Sequence, residues 1–261
     1  MDRREAVLRE LNLYPVWVRR TAHVAEVAQV VEPHAKADVS TASVSTTSVE
    51  QVGESAQSPS HVVKENKVEQ QPSEVSVELS WPELKQKVRD CTDCKLRAGC
   101  IQTVFGVGDE KADWLFVGEG PGADEDVQGE PFVGKAGQLL NNMLLAIKLK
   151  RGSNVYIANI VKCRPPANRA PEVDEVASCL PYLQKQIALI QPKVIVAMGK
   201  TAAIALLGKN ATLGSLRGTL HDYQGTPLIV TYHPAYLLRS PSEKAKAWKD
   251  LCFATDAMKK L

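Results

Sequence analysis

The chain has 261 residues and a formal net charge of +2, and 44% of its residues are hydrophobic while 24% are charged. This length allows one domain of moderate size with tails, or two small domains. A bilayer-spanning helix needs roughly 18 or more consecutive apolar residues, and no run of that kind occurs. The N-terminus also lacks the basic and then apolar pattern of a secretory signal, so we expect a cytoplasmic protein without a membrane partner.

Charge divides the chain into two parts. Residues 1–80 carry 8 basic and 12 acidic side chains, whereas residues 81–261 carry 24 basic and 18 acidic ones. A modestly basic C-terminal part is compatible with a polyanionic partner, although many enzymes have the same balance.

Residues 1–20 predict a short amphipathic helix, which is too short to be stable alone in water. Tyr14 and Trp17 lie just before a basic pair, Arg19 and Arg20. This combination suggests a docking motif that becomes ordered on a partner, such as a replication or repair protein. The alternative is a frayed terminus without a role.

Residues 21–80 predict a disordered linker. The stretch has no Phe, Tyr or Trp and no Leu before Leu79, whereas Ser, Val, Glu, Gln and Thr are frequent. Because apolar residues follow neither a helical nor a strand period, the segment is not expected to bury a core.

Residues 81–261 predict one α/β domain that begins with a helix near residues 81–95, with Ser80 as N-cap and Pro82 at an early position. Apolar runs predict strands at residues 114–117, 155–160, 194–198 and 228–232. Helical patterns lie between and after them, near residues 135–149, 172–190, 199–207 and 242–260. Such alternation indicates a parallel sheet covered by helices on both faces, with functional residues at the carboxyl ends of its strands.

A glycine-rich loop follows the first of these strands, with Gly at positions 118, 120, 122, 129 and 134. Glycines allow a backbone to approach a ligand closely, and the start of the next helix favours an anion. The same loop also contains one aromatic residue, Phe132, and five acidic residues: Glu119, Asp124, Glu125, Asp126 and Glu130. Because these acids would repel phosphate, the loop predicts a site for a neutral planar ligand with acid–base or water chemistry.

The six cysteines lie at positions 91, 94, 100, 163, 179 and 252. Cys91 and Cys94 form a C-x2-C pair, and Cys163 and Cys179 are able to complete a four-thiolate site. Zinc and a 4Fe–4S cluster both accept four thiolates, so the spacing leaves both open. Two alternatives are that Cys163 and Cys179 are simply buried, and that Cys100 is a rival ligand.

Two polar residues follow later strands. Asn159 offers a donor and an acceptor side by side, which suit the edge of a base, although a loop-capping Asn is the simpler interpretation. His233 precedes Pro234 at a strand end, where an imidazole is able to donate a hydrogen bond to developing negative charge. A lone His-Pro is more often structural.

Four motifs together resemble family 4 (iron–sulfur) uracil-DNA glycosylases. The resemblance covers about residues 81–261. Its motifs are Gly118-Glu119-Gly120-Pro121-Gly122 with Glu125 and Phe132, Asn159 followed by Cys163-Arg164-Pro165-Pro166, the four-cysteine spacing, and His233-Pro234-Ala235-Tyr236-Leu237-Leu238-Arg239.

The resemblance implies a three-layer α/β/α sandwich with a short central parallel sheet. It also implies a 4Fe–4S cluster on Cys91, Cys94, Cys163 and Cys179, and an enzyme that acts on uracil-containing DNA. Such an enzyme flips the uracil out, hydrolyses its N-glycosidic bond and leaves an abasic site. We expect it to act as a monomer.

The resemblance further implies a role for each candidate site residue. Phe132 would stack on the flipped base, Asn159 would bind its amide edge, and the backbone of Glu119, Gly120 and Pro121 would hold the other side. His233 would stabilise the departing uracil anion, and Leu237 would fill the space left in the duplex. Glu125, or alternatively Glu119, would orient the attacking water.

Two rival functions remain at this point. One is a DNA-binding or replication-associated module of the same fold with weak or no catalysis. The other is a zinc-bearing nuclease or nucleotide hydrolase, for which the acidic loop lacks a matching set of ligands on a neighbouring strand.

Overall fold

The computed structural model describes residues 79–261. The predicted helix at residues 1–20, and all but the last two residues of the linker predicted at 21–80, lie outside this range. No helix within the described part of the chain is long and apolar enough to cross a membrane.

Six strands form a single mixed sheet. They are β1 (Val107–Gly108), β2 (Trp114–Gly118), β3 (Val155–Asn159), β4 (Val194–Met198), β5 (Leu220–Tyr223) and β6 (Thr226–Thr231), in the order β1-β3-β2-β4-β6-β5. The four central strands, β3, β2, β4 and β6, are parallel, and every residue of strands β2, β3 and β4 is buried. The α/β fold with a parallel centre is therefore confirmed.

The antiparallel edge strands β1 and β5 were not predicted from the sequence. β1 has only two residues, and β5 is largely exposed, so neither contains an apolar run. An edge strand has a neighbouring strand on one side only and faces solvent on the other. Its sequence therefore need not contain the apolar run by which a central strand is predicted.

Eight α-helices accompany the sheet in the described part of the chain. They are α1 (Trp81–Arg89), α2 (Ala123–Gln128), α3 (Lys135–Ala146), α4 (Val173–Ile190), α5 (Lys200–Leu207), α6 (Leu213–Leu216), α7 (Pro234–Arg239) and α8 (Lys244–Met258). The first begins after Ser80 with a capping box to Glu83, as its N-cap prediction required. The four longer helices predicted after the first strand are also present, with bounds that differ by a few residues.

The sheet separates two apolar cores, because alternate side chains of a strand point to opposite faces. Leu115 and Val117 of β2 pack into a core with residues of α1, α4 and α5. Trp114 and Phe116 pack into a second core with residues of α3, α7 and α8. The result is the three-layer α/β/α arrangement. It places the carboxyl ends of all four parallel strands at one edge of the sheet.

Candidate active site

A cleft of about 710 Å³ opens at this edge of the sheet. Segments after β2, β3, β4 and β6 contribute to its walls. All seven side chains or backbone segments predicted to bind substrate line it: Glu119, Gly120, Pro121, Glu125, Phe132, Asn159 and His233. The fold thus brings together residues that are up to 114 positions apart in the chain, from Glu119 to His233.

Glu125 closes the glycine-rich loop on itself. Its Oε2 accepts a hydrogen bond from the Gly122 N–H at 3.0 Å, and its Oε1 accepts from the N–H groups of Val133 at 2.9 Å and Gly134 at 3.1 Å. Three backbone donors thus occupy most of the accepting capacity of one carboxylate. This position favours a role in holding the loop, and it disagrees with our preference for Glu125 over Glu119 as the water-orienting acid.

Phe132 lies at the base of the cleft in a backbone conformation that is unfavourable for a bulky residue. Its φ is 56° and its side chain is 5% exposed. Arg151 stabilises this conformation by donating to the carbonyl oxygens of Pro131 and Phe132, the latter at 2.9 Å. A Cβ at Gly137 would lie 1.7 Å from the Phe132 carbonyl oxygen, so α3 approaches the loop only because it has glycine there.

Asn159 ends β3 with a buried and unpaired polar atom. The residue is 1% exposed, and its Oδ1 has no hydrogen-bond partner. A Cβ at Gly118 would lie 2.5 Å from both this Oδ1 and the Phe132 ring, so glycine allows amide and ring to meet there. Since leaving a buried polar atom unpaired costs about 1–3 kcal/mol, this Oδ1 marks a place for a ligand donor.

His233 is held in one tautomer at the start of α7. Its Nδ1 accepts a hydrogen bond from the Ala235 N–H at 3.2 Å, so the proton of the neutral ring is on Nε2. Burial and then the charge of Arg239 lower the pKa of His233 from 6.5 to about 4, against the opposing charge of Glu125. The imidazole is therefore neutral near pH 7 and has one N–H to donate.

The rings of Phe132 and His233 lie close to each other across the cleft. Their centroids are 5.4 Å apart and their planes are inclined by 31°. With the Asn159 amide beside Phe132, they form a small polar and aromatic pocket at the inner end of the cleft.

Glu119 is positioned by a residue that sequence reasoning missed. Thr201, in the first turn of α5, donates from its Oγ1 to Glu119 Oε2. No side chain or backbone group of residues 79–261 donates to the other oxygen, Oε1, and Glu119 lines the cleft. A threonine in a helical stretch carries no signal for this contact, because it depends on how β2 and β4 pair.

Leu237 is not placed where the predicted insertion into DNA requires it. Its side chain is 1% exposed and packs in the apolar core between the sheet, α3 and α8. The neighbouring Tyr236 and Leu238 are 38% and 40% exposed. α7 turns its apolar side inward at residue 237, so the interpretation of Leu237 as a wedge disagrees with its position.

The four predicted ligand cysteines line one small cavity behind the cleft: Cys91, Cys94, Cys163 and Cys179. The N–H of Lys162 donates to Cys179 Sγ at 3.2 Å, and the N–H of Asp93 lies 3.5 Å from Cys91 Sγ. Cys100 lies near Cys163 but does not line the cavity, and Cys252 belongs to α8.

These thiols suit a group that brings positive charge. Burial raises the pKa of Cys179 to about 11 and also raises the pKa of Cys163 and of Cys94. A metal reverses this preference because its charge holds coordinating thiols as thiolates. Within residues 79–261, no three His, Cys, Asp or Glu side chains are grouped closely enough for a single metal ion.

Lys162 connects the cysteine cavity to the cleft. It is 1% exposed, and its Nζ donates to the Asn159 carbonyl at 2.9 Å and to Gln186 Oε1 at 2.6 Å. Burial lowers its pKa to about 8. The lysine fixes the backbone of Asn159 from behind, which the sequence did not suggest.

The chain matches the family model of the uracil DNA glycosylase superfamily over residues 105–254. It is 43% identical over 183 residues to a type-4 uracil-DNA glycosylase of Pyrobaculum aerophilum, covering 66% of this chain and 92% of that protein. This chain belongs to the type-4 uracil-DNA glycosylase family. Type-4 uracil-DNA glycosylases of Thermotoga maritima (42% identity; 62% of this chain and 85% of the relative) and Archaeoglobus fulgidus (41%; also 62% and 85%) are similarly related.

The family membership confirms the resemblance drawn from the four motifs. The matched range begins before β1 and ends within α8, so it includes every residue of the cleft named above.

Proposed function

We propose that this type-4 family member is a DNA repair enzyme that hydrolyses the N-glycosidic bond of uracil in DNA. The observation that carries the proposal is the unpaired Oδ1 of Asn159, buried beside Phe132 and His233 in one cleft. Uracil is flat and neutral and has an N–H between two carbonyls. The acidic loop around it explains why a neutral base, rather than a phosphate, suits the site.

Uracil reaches this pocket only after leaving the base stack, since its bond to the sugar is inaccessible inside a duplex. The ring of Phe132 then stacks on the base. Asn159 Oδ1 accepts from the uracil N3–H, and its amide N–H donates to the adjacent carbonyl. Cytosine has an acceptor at N3 and a donor on the neighbouring carbon, so its edge opposes both groups of this amide.

Hydrolysis breaks the bond between C1′ of the sugar and N1 of uracil, and both electrons leave with the base. The negative charge spreads onto the uracil carbonyl oxygens. His233 Nε2–H donates a hydrogen bond to one of these oxygens, and the neutral imidazole stabilises the anion in this way while it keeps its proton. Water adds to C1′, and one of its protons ends on uracil.

Glu119 is the acid that our proposal assigns to the attacking water. Thr201 fixes one of its oxygens, and the residue lines the cleft. Glu125 positions the loop instead, since its carboxylate is occupied by three backbone N–H groups. Orientation of a single water is a modest contribution when the departing base already carries most of the developing charge.

We further propose a 4Fe–4S cluster on Cys91, Cys94, Cys163 and Cys179. The cavity that the four cysteines share and the N–H donors to two of their sulfurs support this assignment. The cluster would supply covalent cross-links between the segment after α1, the segment after β3 and α4. None of the chemical steps above requires it.

The decisive experiment incubates the full chain with single-stranded DNA that contains one uracil and then applies alkali. We expect free uracil and a strand break that appears only after alkali, and no reaction with the matching cytosine or thymine strand. A strand break without alkali would instead indicate a nuclease. Binding without release of uracil would indicate the non-catalytic alternative.

A further inference from the structure

An exposed aromatic residue stands at the mouth of the cleft beyond the uracil pocket. Tyr236, on α7, is 38% exposed and lines the cleft together with Tyr232 and Arg239. Its ring stacks on that of Tyr232, with centroids 5.2 Å apart and planes inclined by 23°. Nothing in the chemistry proposed above uses this ring.

The ring beneath Tyr236 is itself held in place. The Arg217 guanidinium lies 4.2 Å from the Tyr232 ring centroid. Two hydrogen bonds join Arg217 to Asp250, from Nε at 2.7 Å and from Nη2 at 2.9 Å, and the same carboxylate accepts from Thr231 Oγ1 at 2.8 Å. Asp250 is 3% exposed, so this arrangement is anchored in the interior rather than on the surface.

A partly exposed aromatic ring that stacks on a neighbour held in place, at the rim of the cleft, suits one kind of occupant. Each nucleobase has a π-face, and stacking on an aromatic side chain is a common way to bind single-stranded or unstacked DNA. Arg239, which is exposed and also lines the cleft, adds positive charge near the same rim for the backbone. Leu237, the sequence-based choice for contact with neighbouring bases, is buried one position further along.

We propose that Tyr236, supported by Tyr232 and Arg217, is a stacking platform for the nucleobase next to the flipped uracil. This inference rests on the proposed function and extends it to the neighbouring nucleotide. In this role Tyr236 positions the strand so that the uracil reaches Phe132 and Asn159, and it takes over the stacking that the neighbour loses when uracil leaves.

The test compares Tyr236→Ala and Tyr236→Phe with the wild-type full chain, using fluorescence anisotropy. The probe is a single-stranded oligonucleotide whose uracil nucleotide is protected from hydrolysis by fluorine at the sugar 2′ position. We expect Tyr236→Ala to weaken binding about 5- to 150-fold, the range for one base–aromatic stack, and Tyr236→Phe to bind nearly as wild type. Leu238→Ala is the matched control, since that residue has similar exposure on the same helix and does not line the cleft.

A second arm removes the partner instead of the tyrosine. One oligonucleotide lacks the base on the 5′ side of uracil, and a second lacks the base on the 3′ side. The wild type should bind only one of these two more weakly than the complete strand. Tyr236→Ala should bind that oligonucleotide and the complete strand equally well. The loss caused by Tyr236→Ala should also stay constant as salt is raised, whereas the loss caused by Arg239→Gln should shrink.

Equal binding of Tyr236→Ala and wild type overturns the proposal, as does a larger loss for Leu238→Ala than for Tyr236→Ala. Equal sensitivity of wild type and Tyr236→Ala to the missing base also overturns it. Uracil release is measured separately with unprotected DNA. If wild type binds but releases no uracil, the proposed function fails, while the anisotropy results still decide the role of Tyr236.

Discussion

His233 illustrates how a single residue obtains its chemistry from its surroundings. The Ala235 N–H fixes the tautomer, and burial together with Arg239 keeps the ring neutral. Protonation would place a hydrogen on Nδ1 against that same N–H. The folded protein therefore resists protonation until well below the usual pKa of histidine.

This arrangement predicts the acid side of the pH profile. Because the pKa of His233 falls from 6.5 to about 4, single-turnover uracil release should stay constant as pH falls through 6.5 and decline only near pH 4. Between pH 6.5 and pH 4 the unfolded chain binds a proton on His233 that the folded protein does not bind. The free energy of unfolding should therefore decrease as pH falls from 6.5 towards 4. The measurement is a pH series of excision rates under conditions where unfolding is monitored. A decline centred on pH 6.5 would contradict this assignment.

Glu125 and His233 should differ in what their replacement costs. His233→Asn removes the donor to the departing base and should slow excision about 100- to 1000-fold. Glu125→Gln replaces an acceptor of three N–H groups by an amide with one oxygen, so it should lower the melting temperature and slow excision less. Single-turnover rates and thermal melts of both variants check this. If Glu125→Gln were the slower of the two, the assignment of the main catalytic contribution to His233 would be wrong.

At the scale of elements, the site depends on how closely α3 approaches the loop before it. Gly137 contacts the Phe132 carbonyl so closely that no side chain fits, and Arg151 holds the same carbonyl from another side. The unusual φ of Phe132 is thus imposed by two neighbouring segments, and the ring is presented to the cleft as a consequence.

Gly137→Ala should therefore displace the loop. We expect a loss of about 1–3 kcal/mol in the free energy of unfolding, as for other overpacked sites, and weaker binding of uracil DNA. Gly214→Ala is a suitable control, because a Cβ there meets nothing within 4 Å. Chemical denaturation and anisotropy measure the two effects. Unchanged stability of Gly137→Ala would show that the loop moves without cost.

At the scale of the whole molecule, the proposed cluster joins parts of the domain that are distant in sequence. Cys163→Ser should abolish the brown colour of the purified protein, reduce its iron content and lower its melting temperature. Cys100→Ser should retain the iron, since Cys100 does not line the cavity. Bound zinc in a colourless wild-type protein, or loss of iron in Cys100→Ser, would contradict the ligand assignment.

Every residue of the cleft and of the cysteine cavity named above lies within residues 79–261. We therefore expect deletion of residues 1–78 to leave excision on a short oligonucleotide nearly unchanged. The role that we propose for residues 1–20 is to hold the enzyme near a replication or repair partner and so raise its local concentration. Comparison of excision rates for the two chains checks the first part, and a large loss would place the N-terminal residues in the catalytic unit.

The sequence by itself determined where the central strands and long helices lie along the chain, because buried strands and amphipathic helices leave a clear apolar period. Phe132, Asn159, His233 and the four cysteines became candidates through the resemblance that the four motifs carry together, since Asn159 and the His-Pro pair taken alone favoured a structural role. The edge strands β1 and β5 left no such pattern, because they are short or exposed.

Only the tertiary structure decided which face each side chain uses. Leu237 packs in a core formed by distant segments, and the Glu125 carboxylate accepts hydrogen bonds from N–H groups of its own loop. Thr201 donates to Glu119 from α5, the helix that follows β4. The stack of Tyr236 on Tyr232 and Arg217 likewise joins separate segments. A motif identifies which chemical groups are present, whereas exposure and hydrogen-bond partners are set by packing between segments that are far apart in the chain.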